Sequence, residues 1–258
     1  MNNNPIGVYD SGFGGLSVWR VLHGALPSES LVYLGDGKNC PYGNRSNEEI
    51  RELADEAVGE LLARGCKLIV VACNTATAAA IEYLRAKYAG VPFVGLEPAV
   101  KPACLSTRSG IVGVLATARS LEGDLFRRTS ARYADKVRII AAVGDGFVEI
   151  VENDEEESPE TLEKVRRVLE PLVSAGADRI VLGCTHYPFL VPAMMKVIGS
   201  RDVEIVDSGR AVERRVEQLL DEYGLRADAM HKPVYEFVTF ADEKYRQRLE
   251  RKAFGNGI

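Results

Sequence analysis

Two of the five cysteines, Cys73 and Cys184, each close a short apolar run and open a polar one: Leu68-Ile69-Val70-Val71-Ala72-Cys73-Asn74-Thr75 and Ile180-Val181-Leu182-Gly183-Cys184-Thr185-His186. A free cysteine is by default a small buried hydrophobe, and Cys40, Cys66 and Cys104 keep that reading. At a helix entrance a thiol behaves differently, because the positive end of the helix dipole favours the thiolate. Two matched thiols suit one reaction in particular: one removes a proton from one face of a carbon while the other returns a proton to the opposite face, inverting a stereocentre. The α-proton of an amino acid is only weakly acidic. Without an electron-sink cofactor, such a site needs a well-placed base and electrostatic stabilisation of the carbanion. Asp10 closes the first apolar run and His186 lies two residues after Cys184, so both stand where they can tune a thiol. Their ordinary alternatives are a turn or cap acid ahead of Ser11-Gly12 and a loop histidine.

The elements that must position these residues alternate in type. Short β-branched runs read as strands at Ile6 to Tyr9, Leu31 to Leu34, Leu68 to Val71, Phe93 to Leu96, Ile111 to Leu115, Val137 to Val143, Ile180 to Leu182 and Glu204 to Val206. Helical spacing of apolar residues marks Asn47 to Ala63, Ala76 to Lys87, Pro159 to Ser174 and Arg210 to Tyr223, with Ser46 and Ser208 as capping residues. Such alternation predicts an α/β fold of βαβ units around mostly parallel sheets. The acidic run Glu152-Asn153-Asp154-Glu155-Glu156-Glu157 reads mostly as a solvated loop and helix start.

The chain also echoes itself. Ile6-Gly7-Val8-Tyr9 before Asp10-Ser11 matches Val112-Gly113-Val114-Leu115 before Ala116-Thr117, at an offset of 106 residues. The two cysteine segments lie 111 residues apart, and Val91 to Val94 matches Val203 to Val206 at 112. Three similar offsets in order predict two similar lobes, residues 1–97 plus about 208–258 and about 98–207. Ligands of open α/β sheets bind beyond the carboxyl ends of strands, so the expected site lies in the cleft between the lobes, with one cysteine from each.

Bulk properties exclude several classes. The 258 residues carry a net charge of −5 with both signs interspersed, which leaves no electrostatic footprint for nucleic acid or an anionic membrane. No apolar stretch approaches the ~18 residues of a membrane span, and the N-terminus has no leader pattern, so the expected location is cytoplasmic and the expected partner a small molecule. An odd cysteine count without a C-x-x-C pair argues against disulfides and a zinc cage, so no metal is expected. Asp10-Ser11-Gly12-Phe13-Gly14-Gly15-Leu16-Ser17 loosely matches a dinucleotide turn. Ser17 at the third glycine position and an acid beside the would-be pyrophosphate weaken that match. Asp10 suits an ammonium group better, with the amides of Ser11 and its neighbours left to hold a carboxylate.

Asp10-Ser11-Gly12-Phe13-Gly14-Gly15-Leu16, Pro41-Tyr42-Gly43, Ala72-Cys73-Asn74-Thr75-Ala76-Thr77 and Gly183-Cys184-Thr185-His186-Tyr187-Pro188 resemble, in order, the signature segments of the glutamate racemase family. The resemblance runs from about Ile6 to Phe237-Val238-Thr239. It implies the pseudo-symmetric aspartate/glutamate racemase fold, usually a homodimer, that interconverts L- and D-glutamate for peptidoglycan without pyridoxal phosphate or metal. It further implies that Cys73 handles the α-proton of the D-isomer and Cys184 that of the L-isomer, assisted by Asp10 and His186 respectively. Substrate contacts carry over to Asp10, Ser11, Tyr42, Gly43, Asn74, Thr75, Thr117, Thr185 and His186, and Asp36 and Glu152 match acidic positions that assist. The chain departs from the family pattern at Gly37-Lys38-Asn39-Cys40 before Pro41, at Ser120 in place of a second threonine, and at Phe240 in place of a glycine. Three other readings accompany this one: a racemase of another acidic amino acid such as aspartate, a dinucleotide-dependent oxidoreductase, and a binding module that has lost activity.

Overall fold

A computed structural model describes residues 1–255. In chain order the elements are β1 (Ile6–Asp10), α1 (Leu16–Ala25), β2 (Leu31–Gly35), α2 (Asn47–Ala63), β3 (Leu68–Val71), α3 (Asn74–Lys87), β4 (Phe93–Gly95), α4 (Val100–Ser106), β5 (Ile111–Ala116), α5 (Ala118–Glu122) and α6 (Asp124–Tyr133). There follow β6 (Arg138–Val143), α7 (Phe147–Glu152), α8 (Pro159–Ser174), β7 (Arg179–Gly183), a 3₁₀ turn (Tyr187–Leu190), α9 (Val191–Ile198), β8 (Glu204–Val206), α10 (Gly209–Glu222), β9 (Tyr235–Val238) and α11 (Glu243–Phe254). Met1–Leu96 and the described chain from Gly209 onward form one compact unit, and Glu97–Ser208 form a second.

The first unit holds a sheet of order β4-β3-β1-β2-β9 and the second a sheet of order β6-β5-β7-β8; every pairing among the described residues is parallel. Read from the other edge, the second sheet runs β8-β7-β5-β6 and repeats the first four positions of the first. Register repeats too. Gly7 lies opposite Ile69 and Gly113 opposite Ile180. A Cβ on either glycine would come within 2.8 or 2.7 Å of the facing isoleucine Cδ1, so the isoleucine fills the space a side chain would take. Helices α2 and α8 end in the same way. Gly65 and Gly176 adopt positive φ (77° and 92°), which glycine reaches without a Cβ penalty. The next amides, of Cys66 and Ala177, then reach back to the carbonyls of Leu61 and Leu172 at 3.2 Å, closing a Schellman motif.

Helix α2 starts on a capping box: Ser46 Oγ accepts the Glu49 amide at 3.2 Å and Glu49 Oε2 accepts the Ser46 amide at 2.8 Å. Its buried face (Ile50, Ala54, Val58, Leu61) packs with Ala76, Ala80 and Leu84 of α3 and with Tyr9, Ile69 and Val71 of the sheet. In the second unit Val112, Val114 and Val181 pack with Val100 and Ala103 of α4. Strands β1, β2, β3 and β7 are buried along their whole length, the mark of a parallel sheet covered on both faces.

The alternating plan and the predicted strands and helices are present, with shifts at their ends. Helix α3 begins at Asn74, two residues before the predicted start, because the Cys73 side chain itself caps it. The acidic run divides: Glu152 closes α7, and Ser158 caps α8 with Pro159 in its first turn. Strand β9 was not among the predicted strands. It is only four residues long and pairs on one side only, with β2, so its signal is a single Tyr-Glu-Phe-Val alternation.

Candidate active site

Parallel strands put their carboxyl ends on one edge of each sheet, and the chemistry-bearing residues gather there. In the first unit β1 ends at Asp10, β2 leads into Asp36, and β3 leads through Ala72 into Cys73. Asp10 and Asp36 are fully buried, and Ser11, Tyr42, Cys73, Asn74 and Thr75 nearly so. Gly43 is half-buried in the loop after β2. In the second unit β5 leads into Thr117 and β7 into Cys184, Thr185 and His186, while Glu152 arrives from the end of α7. Each predicted site residue thus lies with its own unit's cysteine.

Cys73 Sγ accepts the Ala76 amide at 3.4 Å as the N-cap of α3, which aims the helix's positive end at the sulfur. The same sulfur lies 3.7 Å from Ser11 Oγ. Asp10 Oδ1 accepts the Gly12 amide at 2.8 Å, so Asp10 is indeed a turn acid. That bond also occupies the first amide of the glycine-rich turn with a carboxylate, the opposite of what a pyrophosphate needs.

A second network lies beside it. Tyr42 Oη donates to Asp36 Oδ2 at 2.6 Å, Tyr9 Oη donates to Tyr42 Oη at 2.8 Å, and Asn39 Nδ2 donates to both Asp36 oxygens at 3.0 Å. Because a carboxylate only accepts, the direction of both phenolic protons is fixed toward Asp36. Burial holds both phenols well above their ordinary range, and the nearby charges of Asp36 and, for Tyr9, Cys73 and Asp10 act in the same sense, so they remain neutral donors. Asn74 Oδ1 is buried without a hydrogen-bond partner, a state that costs roughly 1–3 kcal/mol and that a ligand N–H would relieve.

Cys184 is served differently. Its sulfur lies 3.8 Å from His186 Nδ1, and His186 Nε2 meets Glu152 Oε1 at 2.7 Å. His186 is buried, and Glu152 orients the ring from the far side. The predicted helix entrance is corrected here: after Cys184 the chain passes through a turn and the 3₁₀ segment before α9. Pro188 falls in the first turn of that 3₁₀ segment and Pro192 in the first turn of α9, where a missing amide donor is tolerated. Buried Tyr187 donates to the Gly144 carbonyl at 3.2 Å, and burial, then the Cys184 charge, keep its phenol neutral. Thr117 caps α5 through the Ser120 amide at 3.2 Å and donates to Ser120 Oγ at 2.9 Å, so the serine that departs from the family pattern keeps the hydroxyl contact.

Sequence reasoning gave no role to Tyr9, Asn39 or Tyr187: Tyr9 sits in an apolar run and reads as core, while Asn39 and Tyr187 lie beside Asp36 and His186 without a chemistry that their local sequence reveals. Burial pushes the Cys66 thiol up to about 12, with Glu236 adding to it, and burial also raises Cys104, so both stay protonated.

The family model described as Asp/Glu/hydantoin racemase matches residues 17–216. A glutamate racemase of Roseiflexus sp. (strain RS-1) is 50% identical over 221 residues, 86% of this chain and 81% of that protein. One of Herpetosiphon aurantiacus is 46% identical over 254 residues, 97% of this chain and 99% of that protein. Among solved structures, a glutamate racemase isoform from Bacillus anthracis matches with a TM-score of 0.87 at 31% identity, covering 100% of this chain and 96% of that one. Escherichia coli glutamate racemase, in complex with L-glutamate and the activator UDP-MurNAc-ala, matches with a TM-score of 0.83 at 31% identity, covering 96% and 95%. No helix among the described residues is long and apolar enough to cross a membrane.

Proposed function

Because this chain belongs to the Asp/Glu/hydantoin racemase family, with both cysteines inside the matched span, we propose that it interconverts L- and D-glutamate by two-base 1,1-proton transfer. The observation that carries the reading is the repeated strand end: Cys73 and Cys184 occupy equivalent positions of two equivalent sheets, each with its own polar partner. Cys73 takes the α-proton of the D-isomer and Cys184 that of the L-isomer, and in each direction the other thiol supplies the new proton. Asp10 accepts the substrate ammonium beside Cys73, as does the unpaired Asn74 oxygen. Ser11, Thr75, Thr117 and Thr185 offer hydroxyls and amides to the carboxylates, and Tyr42 and Gly43 contact the substrate from the loop after β2. His186, oriented by Glu152, supports the charge changes of Cys184. Glutamate is preferred to aspartate because relatives that span nearly the whole chain are glutamate racemases. The reading carries with it a cytoplasmic homodimer that supplies D-glutamate for peptidoglycan; cell fractionation and sedimentation of the purified protein test location and assembly.

The decisive experiment incubates the purified protein with L-glutamate in D₂O without added cofactor and follows optical activity and deuterium entry at Cα. Loss of optical activity with deuterium incorporation is the expected result. Inertness toward glutamate with turnover of aspartate would replace the substrate, and inertness toward both would leave a binding protein.

A further inference from the structure

The last helix, α11, is built against the two loops that deliver the acids of the Cys73 half. Its first turn is fixed by Asp242, whose Oδ1 accepts the Tyr245 amide at 2.9 Å. Its last turn is held by Arg20 of α1, which donates to the carbonyls of Lys252 and Ala253. Between these anchors Leu249 is fully buried: a Cβ on Gly35 would lie 3.1 Å from Leu249 Cδ2 and 2.8 Å from the Gly12 carbonyl oxygen. The loops after β1 and β2 therefore meet beneath one helix.

Tyr245 is where that helix touches both. Its ring stacks on Phe13 with centroids 4.5 Å apart and planes 8° from parallel. The same ring leaves Gly37 no room for a side chain, since a Cβ there would stand 2.2–2.5 Å from three ring atoms. Phe13 is completely buried, with the Arg248 guanidinium 4.7 Å and Lys252 Nζ 5.4 Å from its centroid, an arrangement that favours the stacked geometry. Gly37 adjoins Asp36. Phe13 lies three residues from Asp10, in a turn pinned by Asp10 accepting the Gly12 amide and by Tyr33 Oη donating to the Gly12 carbonyl at 2.6 Å. That turn also carries Ser11, the hydroxyl facing Cys73 Sγ. From this juxtaposition we infer that Tyr245 is a positioning residue of the Cys73 half, its ring fixing at once the turn that carries Asp10 and Ser11 and the turn that carries Asp36. Such a role makes the C-terminal helix part of the proton-transfer machinery of one half alone.

The kinetic part of the test rests on the proposed racemisation; the exchange part does not. Three variants are compared with the unaltered protein. Tyr245→Ala removes the ring, Tyr245→Phe keeps it, and Arg246→Ala removes only the ion pairs of Arg246 to Glu243 and Glu250 on the same helix. Amide hydrogen exchange is measured over residues 10–15, 35–39 and 183–190, together with racemisation kinetics and the isotope effects of 2-deuterated D- and L-glutamate. Tyr245→Ala is expected to speed exchange in the first two segments and not the third, and to lower kcat/KM roughly 10- to 100-fold, as displaced catalytic groups do. Its isotope effect should rise with the D-isomer, whose proton Cys73 removes, and fall with the L-isomer. Tyr245→Phe should stay within about threefold of the unaltered protein, a volume-conserving change, and Arg246→Ala should match it. Unchanged exchange in Tyr245→Ala, a Phe variant as damaged as the Ala variant, or isotope effects that move together would overturn the inference. Should the unaltered protein be inert on glutamate, the racemisation reading fails and the exchange pattern alone decides for or against the positioning role.

Discussion

The Cys73 half and the Cys184 half share a backbone down to strand register, yet their polar residues diverge at both ends of the equivalent strands. At the carboxyl end, Cys73 is an N-cap facing a serine, whereas Cys184 faces a histidine that is itself held by a glutamate. At the amino end, the position after the helix-closing turn is Lys67 in one half and Asp178 in the other. Lys67 is buried in an ion pair with Glu29 at 2.6 Å. Asp178 instead collects the hydroxyls of Thr107 and Ser109 and the amides of Arg108 and Ser109. Apolar register must be kept because a one-residue slip would exchange the two faces of a strand, each of which packs against its own set of neighbours. A buried polar position asks only that its groups find partners, so the two copies answer it with different chemistry.

The largest effects should come from the shared position. Cys73→Ser and Cys184→Ser should each lower racemisation by roughly 10²–10⁴-fold or more, the contribution of a positioned general base, read by circular dichroism. Near-normal turnover in either would break the equivalence of the two halves. Next come the amino ends. Glu29→Gln leaves Lys67 as a buried charge without its counter-ion and should cost roughly 3–5 kcal/mol in urea unfolding, and Asp178→Asn should cost less, roughly 2 kcal/mol near neutral pH.

Asp178 also shows itself through pH. Burial acting alone would raise its carboxyl, but hydrogen bonds from Thr107, Arg108 and Ser109 hold it down at about 2. The folded value thus lies below the unfolded value of about 3.9, so the carboxylate stabilises the fold above that pH. The contribution, roughly 2 kcal/mol, is lost as pH falls from about 4 through about 2. Urea midpoints across that window should fall less steeply in Asp178→Asn; an identical slope would remove the role given to these bonds.

The smallest effect separates the two thiols. L- and D-glutamate have equal free energies, so kcat/KM must drop by one factor in both directions, and the side of the damage is read from isotope effects. Glu152→Gln should lower kcat/KM roughly tenfold, less than loss of the base itself. The isotope effect should rise with 2-deuterated L-glutamate and not with the D-isomer. A rise on the D side would place Glu152 with the wrong cysteine.

Much of this was legible in the chain. The β-branched runs, the capping serine Ser46, the strand-end cysteines and the three offsets are local patterns, and local patterns survive translation into sequence. What was not legible depends on distant partners. Tyr9 reads as core until Tyr42 and Asp36 are placed beside it, and Tyr245 reads as an ordinary helix residue until Phe13 and Gly37 lie against its ring. The helix expected directly after Cys184 is replaced by a turn and a 3₁₀ segment, and α9 begins only at Val191.

By itself, then, the sequence determined the alternation of strands and helices, the duplicated plan and the two thiols at matched strand ends, because hydrophobic periodicity and turn chemistry act over a few residues. Only the tertiary structure set Ser11 and the α3 amide against Cys73, put Glu152 behind the histidine that the sequence had already placed near Cys184, and brought the ring of Tyr245, more than 200 residues away in sequence, against Phe13 of the Asp10 turn. Hydrogen bonds and ring stacking act within a few ångströms of space, and chain separation says nothing about which groups will be brought that close.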